Sequence, residues 1–129
     1  MKQLTKAEEQ VMQILWDLNE GVIKEVMDGF EEPRPAYTTV ATVLKVLEKK
    51  GFVDHKTVGN VHVYYTLVSK RDYTRFQFSM LLRDYFSGSF PKLATFFAHE
   101  NNLSMKDLEE MLRMSQTETL NENANVPQP

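Results

Sequence analysis

In the stretch AYTTVATVLKVLEKKGF, Ala36 to Phe52, apolar residues fall at Val40, Val43, Leu44 and Leu47. That is the i, i+3, i+4, i+7 spacing of one buried helix face. The opposite face holds Thr38, Thr42, Lys45 and Lys49 and carries no carboxylate. Upstream, LTKAEEQVMQILWDLNEG opens with a capping box, in which Thr5 caps the helix and Glu8 reaches back to it. Its stripe is Val11, Ile14, Leu15 and Leu18, flanked by Trp16, with Gly21 the expected end or turn. VIKEVMDGF reads as a short second helix, and the two prolines of EEPRP make the next segment a loop. Lys49, Lys50 and Gly51 give the third helix a basic last turn and a left-handed cap. FVDHKTVGNVHVYYTLV then predicts a β-hairpin turning at Gly59-Asn60, with Val61, Val63, Tyr65 and Leu67 expected on the core side.

Beyond Ser69 the pattern is helical again. One helix starts at Ser69 or Asp72 and runs to about Ser87, and SGSFP breaks it. Pro91 suits the first turn of a second, and Ser104 with Asp107 opens a third. QTETLNENANVPQP is polar and free of aromatics, and is expected to be disordered. The expected fold is mainly α with a small β-hairpin wing. A winged helix-turn-helix spans residues 1–68, a helical dimerisation region residues 69–116, and a tail residues 117–129.

Composition changes this picture in two ways. The chain has 129 residues and no cysteine, which excludes disulfides, thiol catalysis and cysteine-ligated zinc. No apolar run reaches the roughly 20 residues of a membrane span, and MKQLTKAEEQ lacks a signal-peptide core, so a cytoplasmic protein without membrane insertion is expected. The net charge of −3 argues against nucleic acid only when taken globally. The segment from Met1 to Glu32 is strongly acidic. Residues 33–68 reverse the sign, placing Arg34, Lys45, Lys49, Lys50 and Lys56 against Glu48 and Asp54 alone.

A helix following such a turn lies in the major groove and offers its N-terminal residues to base edges. Here those are Tyr37, Thr38, Thr39 and Thr42, with Lys45 further along the same face. Threonine can hydrogen-bond a base or set its methyl against that of thymine. Lys49, Lys50, Lys56, His55 and His62 are candidates for phosphate contact, as is Tyr37 unless it packs on the second helix. His55 and His62 fall on one face of the hairpin without pairing directly, and a metal needs a third ligand, so no metal site and no cofactor are expected. No Gly-rich phosphate loop, H-E-x-x-H or nucleophile elbow is present, and Glu8, Glu9, Glu109 and Glu110 are expected on solvated faces, so no enzyme is expected. The other class of function open to such a fold is a protein-interaction module without DNA binding.

Residues 73–97 hold Tyr73, Phe76, Phe78, Tyr85, Phe86, Phe90, Phe96 and Phe97, and Met80, Leu81, Leu93, Leu108, Met111 and Leu112 add to them. Three short helices have little mutual surface to bury these side chains, each worth on the order of 150–250 Å² if aromatic. Two copies interlocking their C-terminal helices would bury them. A small independent core, or packing back on the winged helix, is the competing arrangement. A two-fold dimer selects a palindromic site and gains from bivalent binding.

TKAEEQVMQILWDL, TTVATVLKVLEKKGFVDHK, VYYTLV and LATFFAHENNLSMKDLEEM resemble the penicillinase-repressor family, in order, from Thr5 to Met114. The resemblance implies a homodimeric winged-helix transcriptional repressor on a palindromic double-stranded operator, controlling resistance genes. It places base reading within Thr38, Thr39, Ala41, Thr42 and Lys45. It also implies a membrane sensor metalloprotease, or another peptidase, whose action leads to a cut in the C-terminal region. The family's cut falls at an Asn-Phe pair, and the matching position here is Phe96-Phe97, without the Asn. The copper-responsive branch uses a C-terminal cysteine cluster, which this chain lacks.

Overall fold

The computed structural model describes residues 1–125, with side chains described through residue 117. In order the elements are α1 (Lys6–Leu18), β1 (Glu20–Gly21), α2 (Ile23–Asp28), α3 (Tyr37–Lys49), β2 (Val53–Val58), β3 (Val61–Thr66), α4 (Lys70–Phe86), α5 (Phe90–Glu100) and α6 (Met105–Asn125). The chain forms two compact units, Met1–Ser79 and the residues from Met80 onward. The division falls inside α4 and not at the 68/69 junction suggested by composition, because α4 sends Tyr73 and Phe76 into the core of the first unit. Helix α6 continues past residue 117, so residues 117–125 are helical where disorder was expected; residues 126–129 of that expected tail lie outside the described residues.

The core of the first unit joins Val11, Met12 and Leu15 of α1, Val26 of α2, Val40, Leu44 and Leu47 of α3, and Phe52, Val53, Tyr64 and Tyr73. The expected periodicity marks the buried face of α3, whereas in α1 the face is rotated from the expected stripe, burying Met12 fully and leaving Leu18 exposed. Helices α1 and α2 approach closely at Gly29, where a β-carbon would lie 2.6 Å from Ile14 Cγ2. Helix α3 ends as its sequence predicts. The Gly51 N–H bonds to Glu48 C=O at 3.0 Å and the Phe52 N–H to Leu47 C=O at 2.9 Å, with Gly51 at φ 81°. This double closure turns Phe52 and Val53 into the core and so fixes where β2 begins.

The sheet is antiparallel in the order β1-β3-β2. Its two-residue strand β1, pairing Glu20 with Tyr65 and Gly21 with Tyr64, has no periodicity to announce it. Helix α1 consequently ends at Asn19, which takes φ 69°, and Gly21 is in a strand instead of a turn. The hairpin turns at Gly59-Asn60 as expected, between paired Val58 and Val61. Its inward face is the other one, however. Tyr64 is buried, whereas Val61 and Leu67 are exposed. Val53 is locked inward behind the helix cap and pairs with Thr66, so residues two and four back, Tyr64 and His62, share its face. A one-residue offset exchanges every side chain between faces, and the anchor at Val53 outweighs the apolar alternation of β3.

Glu8 and Glu9 also depart from expectation. Glu8 is 6% exposed. The capping box forms, with the Thr5 N–H donating to Glu8 Oε1 at 2.9 Å and the Glu8 N–H to Thr5 Oγ1 at 3.3 Å, and Lys50 Nζ donates to the same Oε1 at 2.6 Å. Glu9 accepts from the Tyr73 hydroxyl at 3.1 Å and Gln77 Nε2 at 3.0 Å, while the Tyr73 oxygen accepts the Leu4 N–H at 3.1 Å. These acids tie α1 to the end of α3 and to α4.

Burial works to raise the Glu8 carboxyl, but the hydrogen bonds from Lys50 and the Thr5 N–H, with the Lys50 charge, outweigh it and hold Glu8 below its ordinary value of 4.5. A depressed folded value contributes stability that is present above the unfolded value and lost as pH falls through the folded one. Lys50→Met is expected to cost about 3 kcal/mol at pH 7, because it strands a buried carboxylate. The difference from wild type in urea melts should shrink as pH falls below about 4.5 and protonation removes that charge.

Candidate nucleic-acid interface

Packing of Val40, Leu44 and Leu47 inward turns the other side of α3 to solvent. Tyr37, Thr38, Thr39, Thr42, Lys45 and Lys49 are all exposed, and Ala41 is half-buried at the edge. No side chain caps the start of this helix at Ala36, so its first turn offers N–H groups and a positive dipole end to an anion. The Thr42 hydroxyl donates to Thr38 C=O at 2.8 Å. Held so, it can accept from a base and present its methyl, but its own proton is in use.

The five cations of this region do not act alike. Arg34 pairs with Asp28 at 3.1 Å and Glu32 at 3.4 Å, Lys50 with Glu8, and Lys56 with Glu20 at 2.9 Å. Lys45 and Lys49 have no ion pair among the described residues. The two uncompensated lysines thus sit on the exposed face of α3. Lys50, grouped by sequence with phosphate contacts, instead holds a buried carboxylate, and its charge is neutralised within the fold.

The wing candidates are likewise divided. His55 and His62 lie on the inward face, their rings stacked with centroids 4.2 Å apart, while Lys56 points to the opposite face toward Glu20. His55 Nδ1 is hydrogen-bonded to Glu48 Oε1. Burial, then the charges of Glu48 and Tyr37, raise the Tyr64 phenol above its ordinary range. Tyr37 is exposed and borders a shallow groove with Lys24, Asn60 and His62, between the start of α2 and the wing tip. Lys24 and Asn60 were not singled out from sequence. The approach of the wing tip to the start of α2 is tertiary, and Lys24 lies in the acidic segment from Met1 to Glu32.

In the second unit, Ala98 is the one buried residue between positions 80 and 117. Tyr85, Phe90, Phe96, Phe97, Met105, Met111 and Leu112 are exposed. Met80, Phe86, Leu93 and Leu108 are half-buried, and Leu81 is exposed. Phe90, Leu93, Phe97, Leu108, Met111 and Leu112 line an open apolar groove between α5 and α6. Two members of the expected dimerisation set do not belong there. Tyr73 is 5% exposed with its hydroxyl bonded on both sides, and Phe76 packs on the same core of the first unit.

A helical unit with a hairpin wing and an open, threonine- and lysine-bearing third helix defines the class: a DNA-binding winged helix of a transcriptional regulator. No helix among the described residues is long and apolar enough to cross a membrane. The chain belongs to the penicillinase repressor family, whose model matches residues 4–117. It is 26% identical over 110 residues to the methicillin resistance regulatory protein MecI of Mammaliicoccus sciuri, covering 84% of this chain and 89% of that one. The penicillinase repressor of Bacillus licheniformis is 25% identical over 113 residues, covering 87% and 88%. A solved ArsR-family transcriptional regulator aligns with a TM-score of 0.40 at 15% identity, over 69% of this chain and 98% of that one. The family is one of regulators and not of enzymes.

Proposed function

We propose that this repressor binds a palindromic operator as a homodimer and controls resistance genes of the kind its relatives are named for. Each copy lays α3 in the major groove, with Thr38, Thr39, Ala41, Thr42 and Lys45 toward base edges. Lys49, Tyr37 and the first-turn N–H groups face phosphates, with His62 and Lys24 beside them. The observation that carries this reading is the exposed face of α3, where the two lysines without an ion pair lie in line with the threonines.

Dimerisation is supported by the second unit's lack of an interior. Among the described residues from Met80 onward Ala98 alone is buried, and helices so open gain little by folding alone, whereas a second copy would cover the groove between α5 and α6. Release would follow from separating the copies, since affinity for the operator depends on linked half-sites. A partner peptidase, such as a membrane sensor metalloprotease, would cut between about Phe90 and Leu103, with Phe96-Phe97 the position matching the family's cut. Both phenylalanines are exposed, at 54% and 43%, but they sit in the middle of α5, so the helix must open locally before a protease can take the bond in extended form.

Two experiments test the two halves of the proposal. In fluorescence anisotropy on the upstream region of its own gene and on random duplex, Thr42→Ala should lower operator affinity by about 1–3 kcal/mol and leave random binding nearly unchanged. Lys49→Ala should weaken both and reduce the salt slope by about one. Equal losses on both duplexes for Thr42→Ala, or binding indifferent to salt, would favour a protein-interaction module. In sedimentation, Leu112→Asp should shift the dimer toward monomer by roughly 100-fold or more while the first unit keeps its fold. An unchanged dimer would place the interface elsewhere.

A further inference from the structure

Of the two hairpin histidines, His55 meets two carboxylates in the fold, one of them from α3. Glu48, Asp54 and His55 each bring a ligand atom within 4.8 Å of the other two. Glu48 comes from the last turn of α3, and Asp54 and His55 from the start of β2, so the group bridges the reading helix and the wing. The cap at Gly51 and the inward anchor of Val53 set both segments rigidly. Glu48 and His55 are half-buried and already joined through Oε1 and Nδ1, and Asp54 Oδ1 accepts the His55 N–H at 2.8 Å. His62 stacks on the His55 ring with planes 19° apart and limits its rotation.

We propose that Glu48, Asp54 and His55 form a binding site for a divalent transition-metal cation of the zinc class. One imidazole with two carboxylates is a borderline set, suited to zinc, manganese, cobalt or nickel ahead of magnesium or calcium, which prefer oxygen alone. The cation takes the place of the hydrogen bond between His55 Nδ1 and Glu48 Oε1: an imidazolium ring releases its Nδ1 proton to solvent, and a neutral ring carries its proton on Nε2. Three protein ligands leave at least one position for water. Occupation ties β2 to α3 and offsets two carboxylates, of which Glu48 lies within one helical turn of Lys45 and Lys49. Resting on the DNA reading above, it therefore raises affinity for duplex by reducing repulsion from phosphates.

Zinc titration of the full chain by calorimetry, without DNA, tests the site apart from that reading. One zinc per chain is expected, weakened at least about 10-fold by His55→Asn and by Glu48→Gln and unchanged by His99→Asn. Circular dichroism checks that each variant remains folded. In NMR the His55 ring signals should shift with zinc while those of His99 stay in place. No uptake by the wild type at about 1 mM zinc, or uptake equal in folded His55→Asn, overturns the site. Uptake by the wild type with no change in duplex affinity would keep the site and overturn only its effect on DNA.

Discussion

The structure depends on the burial of one stripe, Val40, Leu44 and Leu47 of α3, against α1 and α2. Each of these side chains contributes roughly 1.5–3 kcal/mol on leaving water, and together they fix the rotation of the helix about its axis. That rotation decides the rest. It turns Thr38, Thr42, Lys45 and Lys49 outward as a set, and through the cap at Gly51 it starts the wing with Phe52 and Val53 inside. A helix held by a rigid core presents its side chains at defined positions, which reading a groove requires.

Electrostatics then distinguish cations that sequence counts alike. A charge total treats Lys49 and Lys50 as equal neighbours. In the fold they lie about a hundred degrees apart around the helix end, and only Lys50 reaches the buried carboxylate of Glu8. The pair links the first turn of α1 to the last residue of the α3 region. The positive surface of α3 is therefore smaller than the count of basic residues implies, and it is concentrated on Lys45 and Lys49. Much of the acid between Met1 and Glu32 is likewise engaged internally, by Lys50, Lys56, Arg34, Tyr73 and Gln77.

The two units differ in how far they complete themselves. The first closes a core from its helices and its hairpin, including the beginning of α4. The second has caps at Ser89 and Ser104 and a ring contact between Phe86 and Phe96, but almost no interior. Local signals specify its helices while leaving their apolar sides open. In the proposed dimer this division has a mechanical use: the DNA-reading unit remains folded by itself, and the pairing that supplies affinity rests on the part most easily lost.

Sequence by itself determined the order of the helices, the caps at Thr5 and Gly51, the hairpin turn and the exposed face of α3, because these depend on neighbours within about one turn or across a two-residue loop; it did not give the end of α1 or the extension of α6. Thr5 with Glu8, Gly51 and Gly59-Asn60 are signals of this short range. Tertiary structure decided what depends on partners far along the chain. Strand β1 exists only because β3 lies beside it, and the inward face of the hairpin follows from Val53 and not from the alternation of β3. Tyr73 was legible as a large aromatic needing cover, but its cover is Leu4, Glu9 and Phe52, all well upstream of it, and not a second chain. The same holds for Lys50 and for the meeting of Glu48 with Asp54 and His55. Periodicity states that a face must be buried or wet; only the folded chain selects which distant group meets it.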